Sequence, residues 1–549
     1  MIAAALAALA APATASAHAT LVASTPANGA VLAAAPERVL LRFSEPVETA
    51  FGSVRVYDGA ARRVDDGGTT RPQAREVAVR LRRALPRGTY TVAWRVVSAD
   101  SHPVGGAIVF HVGRPRAGAA GVASQVLAEQ AGSRAVAISA GVVRFLTLAF
   151  LLLGVGGAGV LAIVVGGEER RVRRPLWAAL LGVALLLGLV SVSGIGLQGA
   201  QASGLALDAA VRPSLFGEVL ETRFGHAALA RAGLALAIAL VAALALRGRW
   251  RREQPLAGTA LGLGLLVGAT PALAGHARVE GLVAIVSDWV HVVAASAWIG
   301  GLAFLLLALW RAGGERWPLA SRAVPRLSGL AVVSVAALAV TGALTGYLEV
   351  RSWSALWGTA YGRLLLLKAA LVLPLLALGA YNNRVAVPRV RASVASALER
   401  RRFLRTTGVE LALAACVVGV TAALVAEPPA KAQRAAQAGP VSRDAFVHPY
   451  RIDLVVDPAR TGVNEIHVYL LNHLTGQPAR VDEVRIGASL PAAGLGPLRL
   501  EAVPAGPGHV VVPAATFPLA GSWTLRLDIR RGAFDQVSST LTIPIRKDT

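Results

Sequence analysis

The chain has 549 residues, 54% of them hydrophobic and 16% charged, with a net charge of +23; this length and apolarity exclude a single soluble globule and indicate a multidomain membrane protein. The positive charge is not a nucleic-acid face, because the arginines gather in short loops between apolar runs. One cysteine, Cys416, and one methionine, Met1, exclude an intramolecular disulfide, a CxxC metal site and a thioether copper(I) site, so metal chemistry falls to imidazole, carboxylate and amine.

Residues 1–17 form a short Ala/Leu run ending in Ala15-Ser16-Ala17, the pattern of a secretory signal whose removal leaves His18 at the N-terminus. No basic residue follows Met1, which departs from that pattern, but the run is short for the alternative, an uncleaved anchor. From 18 to 113 the pattern changes to alternating segments broken by Pro and Gly, among them VLLRFSEPV, GTYTVAWRVVSAD and GAIVFHV, which predict a small all-β domain. Residues 114–137 read as a linker.

Eight apolar segments of spanning length follow, at 138–165, 176–198, 227–246, 256–275, 283–309, 327–347, 362–381 and 406–426. The loops between them alternate between arginine-rich (GGEERRVRRP, RGRWRREQ) and carrying few basic residues. The positive-inside rule makes the arginine-rich loops cytoplasmic, and an even number of spans puts both chain ends outside. After a linker at 427–440, residues 441–549 return to alternation (YRIDLVVDP, NEIHVYLLN, VDEVRIGASL, GHVVVPAATF, SWTLRLDIRR, STLTIPI), predicting a second all-β, immunoglobulin-like domain.

Polar residues inside the spans mark function, since an ionisable group in an apolar run is costly unless it faces protein or a water-filled cavity. Asp288, His291, Ala295 and Trp298 share one helical face by spacing. With Arg144, His226, Arg231, His276 and Lys368, the ionisable members of this face fall in the outer half and predict a polar vestibule. Helix-end capping or pairing is the bland reading of His276 and His291. The inner half offers Glu410 and Cys416, the latter read as a buried apolar filler. His18 offers its α-amine and ring nitrogen to one metal; Asp100 and His102, two apart at a strand end, share a face and would complete a tetragonal copper(II) set. An Asp and a His at such a position also make an ordinary hydrogen-bonded turn. Glu45 reads either as an extra ligand or as a solvated acid and is left out of the site, His111 reads as structural, and His448, His467, His473 and His509 offer a further copper site but read better as scattered surface histidines.

The segments HATLVASTPANGAVLAAAPERVLLRFSEPVE and SADSHPVGGAIVFHV resemble the CopC copper-binding domain. FGHAALAR, the GHA at 275–277, DWVHVVAASAWIGGL and YGRLLLLKAALVLPLLALGAYNN resemble the CopD family, and NEIHVYLLN with GPGHVVV is similar to the YtkA-like domain. The resemblance implies copper(II) at His18, Asp100 and His102 and copper handling across the membrane. Handover to the outer histidines His276 and His291, with copper(I) formed before any crossing, is the expected route, although no redox group is visible in the chain. The resemblance also implies a multi-pass plasma-membrane protein with both β domains on the outer face, copper ions and lipid as partners, exported copper chaperones as candidates, and no enzymatic activity. Two other classes compete: a haem electron-transfer protein using His276 and His291, and a copper monooxygenase built on the His18 chelate, disfavoured by the small β domain and by a carboxylate at the position oxygen needs.

Overall fold

The computed structural model describes residues 19, 21–26, 30–43, 45–49, 54–82, 85–98, 103–113, 133–165, 168, 170–248, 253–275, 281–392, 396–431, 433, 441–473, 478–479, 481–506, 508–532 and 535–547. In the amino-terminal part these form nine strands: β1 Leu21–Thr25, β2 Val31–Leu32, β3 Arg38–Phe43, β4 Val47–Glu48, β5 Val54–Tyr57, β6 Asp65–Thr70, β7 Glu76–Leu81, β8 Gly88–Ser98 and β9 Pro103–Val112. One sheet runs β1-β3-β7-β6 and the other β2-β9-β8-β4, with β5 paired to β8. Alternation does the sorting: Val39, Leu41 and Phe43 of β3 point inward and meet Val92, Trp94 and Val96 of β8 in one core. Gly106 lies under Trp94, where a Cβ would come within 2.2 Å of the indole.

Among the described residues the membrane unit holds eight helices long and apolar enough to span: α1 Arg134–Val164, α2 Arg170–Ser203, α3 Arg223–Arg247, α4 Glu253–Ala274, α5 Leu282–Arg311, α6 Gly313–Val350, α7 Ala360–Arg391 and α8 Ala397–Leu424. Most of them outrun the apolar segment that predicts them, because a helix continues into its polar flanks while hydropathy stops at the first charges; α1 already begins at Arg134. Outward-facing apolar side chains, such as Leu189 at 63% and Val340 at 70% exposure, are what a lipid-facing surface requires. Cys416 is exposed, which corrects the expectation of a buried filler: an apolar helix position faces lipid as readily as protein.

The two halves follow one plan. A short helix (Pro213–Leu220 or Trp353–Gly358) precedes a Thr cap at Thr222 or Thr359, whose Oγ1 accepts from the N–H of Gly225 at 3.1 Å or of Gly362 at 3.0 Å. Nine residues beyond each cap stands a basic residue, Arg231 in α3 and Lys368 in α7. Helices α1 and α5 cross glycine against glycine. A Cβ on Gly156 would fall 2.2 Å from Ser296 O, and one on Gly300 2.0 Å from Leu152 O, each the carbonyl four residues before the facing glycine. This reciprocity is what a pseudo-two-fold relation between the halves produces.

The carboxy-terminal part is a second two-sheet sandwich. Strands β10 Val441–Val447, β11 Tyr450–Asp457, β12 Gly462–Asn472, β13 Glu483–Leu490, β14 Leu495–Leu500, β15 Val503–Gly506, β16 His509–Phe517, β17 Gly521–Arg531 and β18 Asp535–Ile545 form sheets β10-β11-β12-β16-β15 and β14-β13-β17-β18. Trp523, Leu525, Leu527 and Ile529 of β17 fill the core at 0–1% exposure, with Phe517 edge-on to Trp523 at 4.9 Å. Strands β10, β14 and β15 are additions to the predicted set; they lie at sheet margins, where alternation of polarity is weak.

Candidate metal centre

Of the five residues expected to bind metal, His18, Asp100, His102 and His276 lie outside the described residues. Their described neighbours are ordered by packing: Ala19 is 1% exposed within the amino-terminal core and Ser98, ending β8, is 1% exposed. Glu45 is buried at 5% exposure, which corrects its reading as a solvated acid. His111 has its Nδ1 2.9 Å from Thr89 Oγ1, and burial pushes its pKa down, in keeping with a structural role.

His291 is described, and a hydroxyl on another helix sets its tautomer. Thr341 Oγ1 of α6 lies 2.8 Å from His291 Nδ1 and 2.7 Å from Ala337 O, one turn back. A hydroxyl has one proton and a carbonyl can only accept, so when that proton goes to Ala337 O, the closer of the two contacts, Nδ1–H of the imidazole is the donor to Thr341. Nε2 then keeps its lone pair, the form in which an imidazole ligates a metal. Gly342 stands beside the ring, where a Cβ would be 3.6 Å from Cε1. Lys368 of α7 is near enough to act electrostatically on both His291 and Asp288, and Tyr361 at the start of α7 feels Asp288 and Glu349. Of the other members of the predicted vestibule, Arg231 bonds Ser191 Oγ at 3.2 Å and Thr270 Oγ1 at 3.3 Å, Arg144 donates to Ala422 O, and His226 is exposed.

Residues 21–113 match the CopC domain, residues 135–285 the copper resistance protein D-like N-terminal domain, and residues 321–424 copper resistance protein D. The copper transport protein CutJ of Bacillus subtilis (strain 168) is 30% identical over 484 residues, which cover 85% of this chain and 84% of CutJ. The chain belongs to the CopC–CopD family. Its amino-terminal part is 33% identical to a CopC from Methylosinus trichosporium OB3b of known structure, covering 18% of this chain and 96% of that one with a TM-score of 0.16. It is 30% identical to PcoC, a methionine-rich copper resistance protein from Escherichia coli, over 17% of this chain and 98% of that one, with a TM-score of 0.16.

Two further polar groups emerge in this CopC–CopD fusion. On β12 and β16 of the last domain, His467 Nδ1 lies 3.1 Å from His509 Nε2, and Tyr469 stacks on His509 at 4.3 Å. His467 Nε2 is 3.5 Å from Glu465. Burial pushes His467 down, and burial together with His467 holds His509 at about 4. Two of the four histidines expected on the surface are therefore inside a stacked cluster, while His448 and His473 meet edge-on at 5.2 Å. In the membrane unit Glu410 joins Trp298 and Asn382 from two other helices. Partners 112 residues apart leave no signal in local spacing, though an acid inside a span was a flag.

Proposed function

We propose that this protein captures copper(II) outside the cell at His18, Asp100 and His102 and passes it to the membrane domain through His276 and His291, serving copper uptake, homeostasis or resistance. Copper is the cargo and leaves with no covalent bond made, so the protein acts as a binder and conduit rather than an enzyme. Both β domains stand on the outer face, tethered beside the membrane site, which raises the local concentration of donor over acceptor. Asp288 offsets the charge of the arriving ion. The observation that carries the reading is the contact of His291 with Thr341: a half-buried imidazole in an apolar helix, engaged through Nδ1 by a hydroxyl of another helix so that Nε2 is the nitrogen left for a metal, in a chain homologous to a copper transport protein. The bound ion on the exported domain is copper(II), for which amine, imidazole and carboxylate are suitable donors.

The test is cellular copper content. Cells expressing the His276→Ala/His291→Ala variant should keep copper on the exported domain yet lose the change in cellular copper that the parent causes. Thr341→Val, which removes the acceptor of Nδ1–H, should weaken copper binding in the membrane domain about 10- to 100-fold, and Thr341→Ser should restore it. Parental copper levels in the double variant would make the membrane histidines structural and end the handover route.

A further inference from the structure

Glu410 is 4% exposed in α8, five residues beyond Arg405 and so roughly 7 Å further along the helix. Trp298 Nε1–H of α5 donates to its Oε1 at 3.0 Å, and Asn382 Nδ2 of α7 donates to its Oε2 at 2.9 Å. Both donors sit in π-helical turns, Ser296–Gly300 and Asn382–Ala386, where the widened helix re-aims its side chains; such turns concentrate at functional sites. Thr406 Oγ1, 2.8 Å from Asn382 Oδ1, leaves the amide nitrogen facing the carboxylate. Two N–H donors aimed at two oxygens fit a carboxyl and reject the isosteric amide, which would set an NH2 against one of them.

The donors are neutral, and among the described residues no cationic group lies within ion-pair distance of Glu410. An uncompensated carboxylate inside a span costs several kcal/mol. The space to relieve it adjoins: a cavity of about 430 Å³, lined by Glu410, Asn382, Asn383, Thr407 and Arg384 among apolar residues. Thr407 is 1% exposed and its Oγ1 has no hydrogen-bond partner. His291 and Trp298 lie seven residues apart on the same helix, roughly 10 Å. We propose that Glu410 is a cation site of the membrane domain, taking up a proton or the metal cargo, with Trp298 and Asn382 as positioning residues. Oxygen donors suit a proton or copper(II) better than copper(I). Only the metal alternative rests on the copper reading above.

A lipid-soluble carbodiimide modifies a buried carboxyl in its protonated form, and the apolar cavity wall admits it. With the full-length protein in detergent, mass spectrometry should find the label on Glu410 and lose it from that position in Glu410→Gln. In metal-free buffer, labelling should fall about tenfold per pH unit above its midpoint if the cation is a proton. Trp298→Phe, which removes a donor to the anion, should move that midpoint upward, a shift that a merely structural tryptophan would not cause. Suppression at fixed pH by copper(II), or by copper(I) kept reduced, but not by magnesium, assigns the metal cargo to the site. No label on Glu410 between about pH 5 and about pH 9, or a label indifferent to both pH and copper, overturns the proposal. Cellular copper does not enter this readout, so failure of the copper reading leaves the proton result standing, and the reverse holds too.

Discussion

Thr341 Oγ1 bridges Ala337 O and His291 Nδ1, and this contact decides which nitrogen of His291 is engaged and which is left for a ligand. Spacing within α5 picks out His291 but not Thr341, 50 residues away on another helix. His509 shows the same dependence on a neighbouring strand, with a consequence for stability. Its pKa is about 4 in the fold and 6.5 ordinarily, because burial and His467 oppose the imidazolium. The folded value lies below the unfolded one, so the stabilisation is fully present above the ordinary pKa and is lost as pH falls through about 4. Glu465 and Asp457 on the same face act in the opposite sense, since burial raises both. Comparing the parent with His509→Gln isolates the histidine. Hydrogen exchange of β12 and β16 amides, corrected for intrinsic rate, should quicken more steeply between neutral pH and about pH 4 in the parent than in the variant. Equal slopes would mean that His509 titrates unperturbed.

At the scale of elements, the crossing of α1 and α5 fixes where the α5 side chains stand, His291 on one side of Gly300 and Trp298 beside it. The contact is backbone to backbone, so even a methyl has nowhere to go. Gly156→Ala and Gly300→Ala should each lower thermal stability in detergent by an amount corresponding to roughly 1–3 kcal/mol. Their pseudo-equivalence predicts similar losses from the two. Gly159→Ala in the same helix meets nothing within 4 Å and should be neutral or slightly stabilising. Equal stability of all three variants would show that the helices separate readily at this point. The GVGGAG and WIGGLA stretches are glycine-rich, but which helix each meets is a tertiary fact.

For the whole molecule, the arginine-rich loops and the even number of spans predict one topology. A reporter active only in the cytoplasm should stay silent when fused after residue 430 and be active when inserted between 249 and 252; the opposite pattern would invert the protein in the membrane. Eight spans were legible in the sequence because crossing lipid needs about 20 consecutive apolar residues, a requirement each segment meets by itself. The sandwiches were legible for a similar reason: a strand with one buried face must alternate, whatever it pairs with. Family and copper chemistry followed from short motifs, HATLV, SADSHPV and DWVHVV, which carry their meaning locally. Hydropathy could not tell protein-facing from lipid-facing positions, because both are apolar, and so Cys416 was misplaced. Nor could it pair Glu410 with Trp298 and Asn382, or His291 with Thr341, since those bonds depend on how helices far apart in the chain cross. The elements are set by local runs of residues, and the sites between them only by the packing of the folded chain.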